Sequence, residues 1–284
     1  MLPLRPPDHM LSRAVCPRCH SVMSVAGPGL LACGGCDTRY PQPSREWVTL
    51  CVPGALARDP AWEARQRTMA DAYRELIADP DHARRAYQND LAPFMPLLEA
   101  LEGPVLDLGG GNGLLRHYLP AGIDYLSIDP DPAWLDGQWI AIADTFPCLR
   151  SPLSFLAGFG EALPLPTAGV GAVVSFWSLN HARSPPEVLA EACRVLAPGG
   201  TLLVVLDDVP PGWRDILARR YRDVQGRSRR ALLLAKTRSL VSGWPRQPDH
   251  LPVSERDVRR WLTGRCAIVE RGFLGSYFWI RARR

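Results

Sequence analysis

The segment that most constrains this chain is an apolar run that contains an acid and continues into glycines, VLDLGGGNGLL at residues 105–115. A short apolar run is typical of a buried strand, and Asp107 stands near its end. Gly109, Gly111 and Gly113 let the backbone turn sharply and approach a ligand closely. The segment therefore predicts a strand, a tight turn that binds a ligand, and the start of a helix.

Two acids near this turn indicate the kind of ligand. A carboxylate just before the glycines favours a ligand with positive charge, and S-adenosylmethionine carries both an ammonium and a sulfonium group. Asp129 ends the next predicted strand, about 20 residues beyond the glycines, where an acid can accept hydrogen bonds from both hydroxyls of a ribose. NAD-dependent enzymes share this arrangement. Asp129 is also interpretable as the N-cap of a helix that begins after Pro130.

From residue 104 onward, predicted strands alternate with predicted helices. The strands are expected at 104–108, 124–128, 153–157, 170–176 and 200–206, and the helices at 112–120, 132–143 and 185–196. A basic helical stretch at 212–240, a helix capped by Ser254 and Asp257, and two strands at 266–272 and 276–282 complete the chain. The alternation predicts an α/β fold with a mostly parallel sheet and a ligand site beyond the carboxyl ends of the strands.

Two closely spaced pairs of cysteines near the N-terminus predict a metal site. Cys16 and Cys19 form one CxxC pair, and Cys33 and Cys36 form the other. Two such pairs supply four thiolates for a tetrahedral zinc ion, and a site with four protein ligands has no open position for catalysis. We therefore predict a structural zinc ribbon. His20 is an alternative ligand, although its position directly after Cys19 is unfavourable.

The residues between the cysteines and the glycine turn are expected to form helices, near 60–79, 81–90 and 93–101. Pro60 is well placed at a helix start, and the apolar and aromatic positions that follow it lie on one face. These helices can cover the ligand site, and ordinary packing against the edge of the sheet is the alternative. Tyr73 and Tyr87 are candidates for contact with a second substrate.

Composition limits the remaining choices. The chain has no apolar stretch of about 20 residues, as a membrane helix requires, and no apolar segment of a signal peptide. We therefore expect a cytoplasmic protein without a membrane partner. Residues 211–284 hold 18 basic and 6 acidic residues, whereas residues 99–208 hold 4 basic and 13 acidic ones. The basic part indicates either an anionic acceptor such as nucleic acid or a solvated, arginine-rich surface.

Four ordered segments resemble the class I S-adenosylmethionine-dependent methyltransferases of the small-molecule, ubiquinone-biosynthesis-like type. They are the acid and glycines at 105–113, Asp129, the GFGEALPL segment at 158–165 and the LAPGGTL turn at 196–202. The resemblance covers about 100 residues and implies a Rossmann-like seven-stranded sheet in the order 3-2-1-4-5-7-6 with an antiparallel seventh strand.

The resemblance also implies which residues hold S-adenosylmethionine. They are Asp107, Gly109, Gly111, Gly113, Asp129, Pro130, Phe159, Gly160, Glu161, Ala162 and Ser175. Phe159 departs from the family, which often has an acid there that contacts the adenine amino group. A phenylalanine cannot accept that hydrogen bond, although it can pack against the adenine ring.

The segment SFWSLNH at 175–181 follows the fourth predicted sheet strand and, by the resemblance, lies near the transferred methyl group. His181 is the candidate catalytic base, needed only where the acceptor loses a proton. The alternative is a histidine that only hydrogen-bonds the loop. Trp177 and Asn180 are expected to shape the substrate pocket.

The expected organisation is a disordered lead at residues 1–13, a zinc ribbon at 14–52, a helical cap at 59–102 and a methyltransferase domain at 103–284. The preferred function is methyl transfer to an O or N atom of a small or medium-sized metabolite. A ribbon ahead of this domain also resembles the bacterial 23S ribosomal RNA guanine-N1 methyltransferases, which leaves RNA as an alternative acceptor. A non-catalytic S-adenosylmethionine-binding module is a further alternative, and the oligomeric state stays open.

Overall fold

The structure is a computed structural model that describes residues 1–52, 59–217, 229–242 and 246–284. The N-terminal region contains α1 (Pro7–Leu11) and the strands β1 (Met23–Gly27), β2 (Leu30–Cys33), β3 (Arg39–Pro41) and β4 (Val48–Thr49). The next helices are α2 (Pro60–Ala78), α3 (Pro80–Leu91) and α4 (Met95–Leu98). The remaining elements are β5 (Val105–Leu108), β6 (Tyr125–Asp129), β7 (Phe155–Ala157), β8 (Val170–Phe176), α5 (Pro185–Val195), β9 (Leu196–Leu206), α6 (Trp213–Leu217), α7 (Arg229–Ser242), α8 (Glu255–Leu262), β10 (Ala267–Leu274) and β11 (Tyr277–Arg283).

One large sheet organises the molecule, with the strand order β10-β11-β9-β8-β5-β6-β7-β4. Strands β4 to β9 all run parallel to one another in this sheet, and β11 is antiparallel to both β9 and β10. Counted from β5, the order is 3-2-1-4-5-7-6, which confirms the predicted topology. The eighth strand, β4, pairs with β7 and places the end of the N-terminal region on the edge of this sheet.

The central strands are buried on both faces. Every residue of β5 and of β6 is buried, as expected for parallel strands covered by helices or turns on each side. One apolar cluster on one face joins β5, α5 and α8 to the ribbon residues Leu31 and Tyr40. A second cluster on the opposite face joins the sheet to α2 and α3. The ribbon and the sheet therefore share one continuous core.

Two predicted helices are wrong. The stretch at 112–120 contains a 3-10 helix over Leu114–Tyr118, and the stretch at 132–143 contains two 3-10 helices, Pro132–Leu135 and Gly137–Ile142. Asp131 and Asp136 each accept a backbone N–H from two residues further on, which starts a new short turn each time. These turns divide the segment before a continuous α-helix can form.

The lead at residues 1–13, expected to be disordered, is ordered against the sheet. Leu2 and Met10 are buried, and Leu4 pairs in parallel with Leu153. The Leu2 N–H donates to the Leu135 carbonyl oxygen at 2.7 Å. The lead is ordered because its leucines fill an apolar surface beside the sheet, which the short, proline-rich sequence does not indicate.

The ribbon and the cap both differ in detail from expectation. The predicted ribbon at 14–52 includes β4, which belongs to the large sheet, and the ribbon's own sheet consists of β1, β2 and β3. The helix expected at 93–101 is a 3-10 turn over Ala92–Phe94 followed by α4. The helix expected at 212–240 is present as α6 and α7, and residues 218–228 lie outside the described residues.

The C-terminal region meets two expectations. Ser254 and Asp257 form the predicted capping box at the start of α8, with reciprocal side-chain to backbone hydrogen bonds. Strands β10 and β11 form the antiparallel hairpin that ends the chain. Within the described part of the chain, no helix is both long and apolar enough to cross a membrane.

Candidate active site

A cleft lies at the carboxyl ends of β5, β6 and β8 and is covered by α2 and α3. Its volume, including the open mouth, is about 1070 Å³. The side that we call the glycine-turn side is formed by Asp107, Gly109, Gly111, Asp129 and Phe159. The opposite side, which we call the helix side, is formed by Trp62, Gln66, Met69, Tyr73 and Tyr87.

Two buried acids define the glycine-turn side. Asp107 is 3% exposed and accepts a hydrogen bond from the Tyr125 hydroxyl on the neighbouring strand. Asp129 is 6% exposed, accepts the Asp131 N–H at 2.9 Å and has Pro130 beside it on the cleft wall. Burial raises the pKa of each carboxyl to about 7. A ligand that brings positive charge or hydroxyl donors would favour the ionised form of both.

The glycine turn carries its backbone close to two side chains. Gly109 and Gly111 have φ values of +68° and +47°, in the region that favours glycine. A Cβ on Gly109 would lie 2.4 Å from the Ser178 Cβ, and one on Gly111 would lie 2.9 Å from the Trp134 ring. Gly113 is not part of the cleft lining, because it faces Leu153 and supports the turn from behind. The turn therefore requires glycine at positions 109 and 111, both of which line the cleft.

An unpaired amide next to the turn indicates a missing ligand partner. Asn112 is 5% exposed and lines the cleft, and its Oδ1 accepts the Leu114 N–H at 3.0 Å. Its Nδ2 is buried and has no hydrogen-bond partner in the described part of the protein. Buried donors are nearly always satisfied, so this group fits a polar ligand in the cleft.

The segment after β7 closes one end of the cleft. Phe159 packs against Trp62 with a ring separation of 5.7 Å, and Gly160 lines the wall beside it. Glu161 also lines the cleft, but its Oε1 accepts the backbone N–H groups of Arg183 and Ser184 at 2.8 and 3.1 Å. These hydrogen bonds hold the backbone directly before α5 in place. Ala162 is not among the lining residues.

The end of β8 contributes a strained tryptophan and a pair of serines. Trp177 lines the cleft at φ +53°, an unusual conformation for a bulky residue. Ser175 lies behind the wall and contacts the Ser178 hydroxyl at 2.8 Å, whereas Ser178 itself lines the cleft and donates to the Leu108 carbonyl. The cleft is therefore lined by Ser178, which the sequence analysis did not assign to the site, and not by the predicted Ser175.

The helix side is aromatic and includes residues that the sequence analysis missed. Tyr73 contacts Trp134 with a ring separation of 4.5 Å, and Tyr87 contacts Trp139 at 6.1 Å. Burial raises the pKa of both tyrosines, so their phenols are neutral. The residues of α2 that the sequence analysis did not assign to the site are Trp62, Gln66 and Met69. Together with Tyr73 they are spaced four, three and four residues apart, which places all four on one face of the helix. This spacing could have identified them as lining residues.

His181 lies in the cleft wall, and its backbone connects to the helix side. Its carbonyl oxygen accepts hydrogen bonds from Trp62 Nε1 at 3.0 Å and from Gln66 Nε2 at 3.2 Å. Burial, and next the nearby His250, lower the pKa of His181 to about 4. Asn180 does not line the cleft. It is buried and donates to Asp207 Oδ1 at 2.8 Å, which ties the end of β8 to the end of β9.

The four predicted cysteine ligands meet in the ribbon. The sulfur atoms of Cys16 and Cys36 are 3.7 Å apart, and those of Cys19 and Cys33 are 3.3 Å apart. All four sulfurs lie within 4.8 Å of one another. A tetrahedral zinc with bonds of about 2.3 Å separates its sulfurs by about 3.8 Å, so the cluster fits a zinc ion. The Gly35 N–H donates to Cys33 Sγ at 3.3 Å, a supporting contact of the kind found around such sites.

Comparison with known proteins agrees with this fold. Residues 106–204 match the protein family described as "Methyltransferase domain". An uncharacterized methyltransferase of Mycobacterium bovis (strain BCG / Pasteur 1173P2) is 30% identical over 165 residues, 55% of this chain and 61% of that protein. One of Mycobacterium ulcerans (strain Agy99) is 34% identical over 97 residues, 34% of this chain and 36% of that protein. The matches therefore span less than two thirds of these relatives.

Solved structures with similar folds are more distant in sequence. The PH0226 protein from Pyrococcus horikoshii OT3 is 18% identical with a TM-score of 0.48, covering 69% of this chain and 90% of that chain. A SAM dependent methyltransferase from Aquifex aeolicus is 18% identical with a TM-score of 0.48, covering 72% and 97%. The family match over residues 106–204 and the sheet order agree with the class I methyltransferase fold that the sequence resemblance implies.

Proposed function

We propose that this protein transfers a methyl group from S-adenosylmethionine to an O or N atom of a small or medium-sized metabolite. The observation that carries the proposal is a single cleft with buried acids and a glycine turn on one side and an aromatic helix side opposite. The first side suits a cationic nucleoside cofactor, and the second suits an acceptor of limited size.

Each residue on the glycine-turn side has a separate role in this proposal. Asp129 accepts hydrogen bonds from the ribose hydroxyls, and Asp107, oriented by Tyr125, contributes negative charge next to the glycine turn. Phe159 packs against the adenine ring. The Asn112 amide supplies a donor that has no partner among the described residues. S-adenosylmethionine supplies the electrophilic methyl group when it is bound.

The helix side supports positioning rather than strong base catalysis. Methyl transfer requires the acceptor atom in line with the methyl–sulfonium bond, and orientation alone can accelerate such a step greatly. Tyr73, Trp177 and the side chains of α2 would hold the acceptor there. His181 is neutral at physiological pH and can accept a proton, but a pKa of about 4 makes it a weak base.

A metabolite is the preferred acceptor because α2 and α3 cover the cleft. An RNA nucleotide would need to leave its strand and enter beneath these helices. The basic residues of the C-terminal part are compatible with RNA but are not part of the described cleft lining. The preference for a metabolite therefore depends on the cover that α2 and α3 form over the cleft, and RNA is tested as the competing acceptor.

The decisive experiment offers methyl-labelled S-adenosylmethionine to the purified protein with either a metabolite extract or total RNA. We expect label in the small-molecule fraction and S-adenosylmethionine binding in the micromolar range by titration calorimetry. Label in RNA, with binding that weakens steeply as salt rises, would replace the metabolite with RNA. Absence of cofactor binding would contradict the proposal as a whole.

We also propose that Cys16, Cys19, Cys33 and Cys36 hold one structural zinc ion, and that the protein works in the cytoplasm, where thiols stay reduced. Metal analysis should find one zinc per chain bound by cysteine. Cys33→Ser should release it and lower the melting temperature, since the ribbon shares its core with the sheet. Cys51→Ser, a cysteine outside the cluster, is the control and should keep the zinc. A folded wild-type protein without zinc would contradict this assignment.

A further inference from the structure

The loop before α8 brings two residues against His181 that the proposed methyl transfer does not use. Asp249 and His250 are both buried, with 8% and 3% of their side chains exposed. The ring of His250 lies edge-on to that of His181, at a centroid distance of 4.6 Å. Two imidazoles and a carboxylate thus meet directly behind the cleft wall.

The distances within this group are too long for hydrogen bonds. His181 Nδ1 lies 3.6 Å from Asp249 Oδ2, and His250 Nε2 lies 3.9 Å from the same oxygen. The three ligand atoms lie within 4.8 Å of one another. Ligands held about 2.1 Å from one ion are separated by about 3.0 to 4.2 Å, so both measured distances match atoms that share a cation.

Unsatisfied polar groups support a missing partner at this position. His181 Nδ1 is buried without a hydrogen-bond partner in the described residues. The same is true of Oδ1 of Asn180, the neighbouring residue, which is 2% exposed. Two unpartnered polar groups in one buried region are therefore available to a ligand.

The surroundings of His250 have the arrangement of a metal ligand. Asp208 Oδ2 lies 2.7 Å from His250 Nδ1. Because a carboxylate only accepts, this contact places a proton on Nδ1 and leaves Nε2 directed toward Asp249. A histidine ligand usually donates its second ring nitrogen to a carboxylate in this way, which orients the ring and strengthens it as a ligand.

The local charge also favours a cation. Asp208 accepts a hydrogen bond from His250 Nδ1, and Asp249 lies beside both imidazoles. Asp207 Oδ1 also lies 3.6 Å from His250 Nδ1. Three carboxylates around two imidazoles attract positive charge, which a divalent ion would supply more fully than one protonated histidine.

We propose that His181, Asp249 and His250 bind a divalent transition-metal ion, with Asp208 as the carboxylate that orients His250. Two imidazoles and one carboxylate suit zinc, iron(II), cobalt(II) or nickel(II). The ion connects the end of β8 to the loop before α8 and lies behind the cleft wall at His181. His181 Nδ1 cannot both bind this ion and act as a base, so the site assigns that nitrogen a positioning role.

The test uses cobalt(II) as the probe on the full chain with zinc already bound by the ribbon. Bound cobalt is counted after equilibrium dialysis, and the visible spectrum distinguishes thiolate from imidazole and carboxylate ligands. We expect one cobalt per chain without thiolate bands. Asp249→Asn and His250→Ala should each weaken binding at least about 100-fold, and Asp208→Asn about 10-fold or more. His82→Ala, an exposed histidine on α3, should bind as wild type.

Three results would overturn the proposal. They are no bound cobalt in the zinc-loaded protein, bound cobalt whose spectrum shows only thiolate bands, and cobalt binding that is unchanged in both Asp249→Asn and His250→Ala. If circular dichroism shows that His250→Ala is unfolded, the near-isosteric Asp249→Asn decides. S-adenosylmethionine binding is measured on the same samples. A wild-type protein that binds S-adenosylmethionine but no cobalt rejects this site alone, and a wild-type protein that binds cobalt but no S-adenosylmethionine rejects the proposed methyl transfer alone.

Discussion

The two sides of the cleft are built in different ways. The glycine-turn side uses residues at the ends of adjacent parallel strands, where the backbone itself shapes the site. The helix side uses side chains from α2 and α3, held to the sheet through contacts such as that between Trp62 and the His181 carbonyl. Backbone geometry therefore defines the proposed cofactor contacts, whereas packing between distant segments defines the proposed acceptor contacts. Changes on the first side should therefore act mainly on cofactor affinity.

The largest expected effect is the loss of Asp129. Asp129→Ala removes a buried carboxylate that would accept two ribose hydroxyls, each worth about 1.5 kcal/mol or more. We expect S-adenosylmethionine affinity to fall about 100-fold by titration calorimetry. Asp71→Ala, an exposed acid on α2, is the matched control and should bind as wild type. Equal affinities for Asp129→Ala and wild type would remove the functional distinction between the two sides.

The next effect is a dependence of cofactor affinity on pH. Asp107 and Asp129 have pKa values raised to about 7 by burial, so both become protonated as pH falls through 7. Because binding requires the carboxylates, affinity should fall about tenfold or more between pH 8 and pH 6. For the free protein the sign is opposite: these two groups make the free energy of unfolding fall as pH rises from about 4 to 7, since the unfolded chain then binds fewer protons.

Calorimetry in two buffers with different ionisation enthalpies checks this linkage. Cofactor binding near pH 6.5 should release protons, whereas Asp129→Asn, which cannot titrate at that position, should release fewer. Affinity that is constant from pH 6 to pH 8 with no proton release would contradict the role of these acids.

A smaller effect tests the close approach of the glycine turn. Gly111→Ala combines positive φ with a contact of 2.9 Å to the Trp134 ring, and backbone strain of this kind costs about 1–2 kcal/mol. We expect cofactor affinity to fall about tenfold. Gly122→Ala has φ +78° but no atom within 4 Å of the added Cβ, so it carries the strain without the contact. It should lower the melting temperature and leave cofactor affinity unchanged. Equal losses of cofactor affinity in both variants would mean that the glycine turn affects stability and has no specific contact with the cofactor.

The smallest expected effect lies on the helix side. Trp62→Phe keeps an aromatic ring against Phe159 but removes the N–H that donates to the His181 carbonyl, a bond worth about 1 kcal/mol. We expect hydrogen exchange in α2 to become faster, with a change of about threefold or less in cofactor affinity. Trp213→Phe, on α6, is the control and should leave the exchange of α2 as in wild type. A loss of cofactor affinity in Trp62→Phe as large as that in Asp129→Ala would mean that the two sides of the cleft act as one unit.

Much of the sheet and of its binding edge was predictable, because local patterns encode both. Alternating strand and helix patterns predicted a mostly parallel sheet, and the resemblance to class I methyltransferases implied its strand order. The acid–glycine pattern placed Asp107, Asp129 and the turn at one edge. The helices at 112–120 and 132–143 were wrong because Asn112, Asp131 and Asp136 each accept a backbone N–H from two residues further on, and these local turns compete with a continuous helix. The order of residues 1–13 and the pairing of β4 with β7 were missed because they depend on an apolar surface supplied by other parts of the chain.

Short sequence patterns predicted the strand–acid–glycine turn, the cluster of four cysteines and the acid at the end of β6, because each depends on residues close together in the chain. The sequence did not indicate that Trp62 and Gln66 of α2 would reach the cleft or that His181 would meet Asp249 and His250. These contacts join segments far apart in sequence, so they depend on how helices and loops pack against the finished sheet. Backbone signals are local and readable, whereas such side-chain contacts follow from the packing of the whole domain.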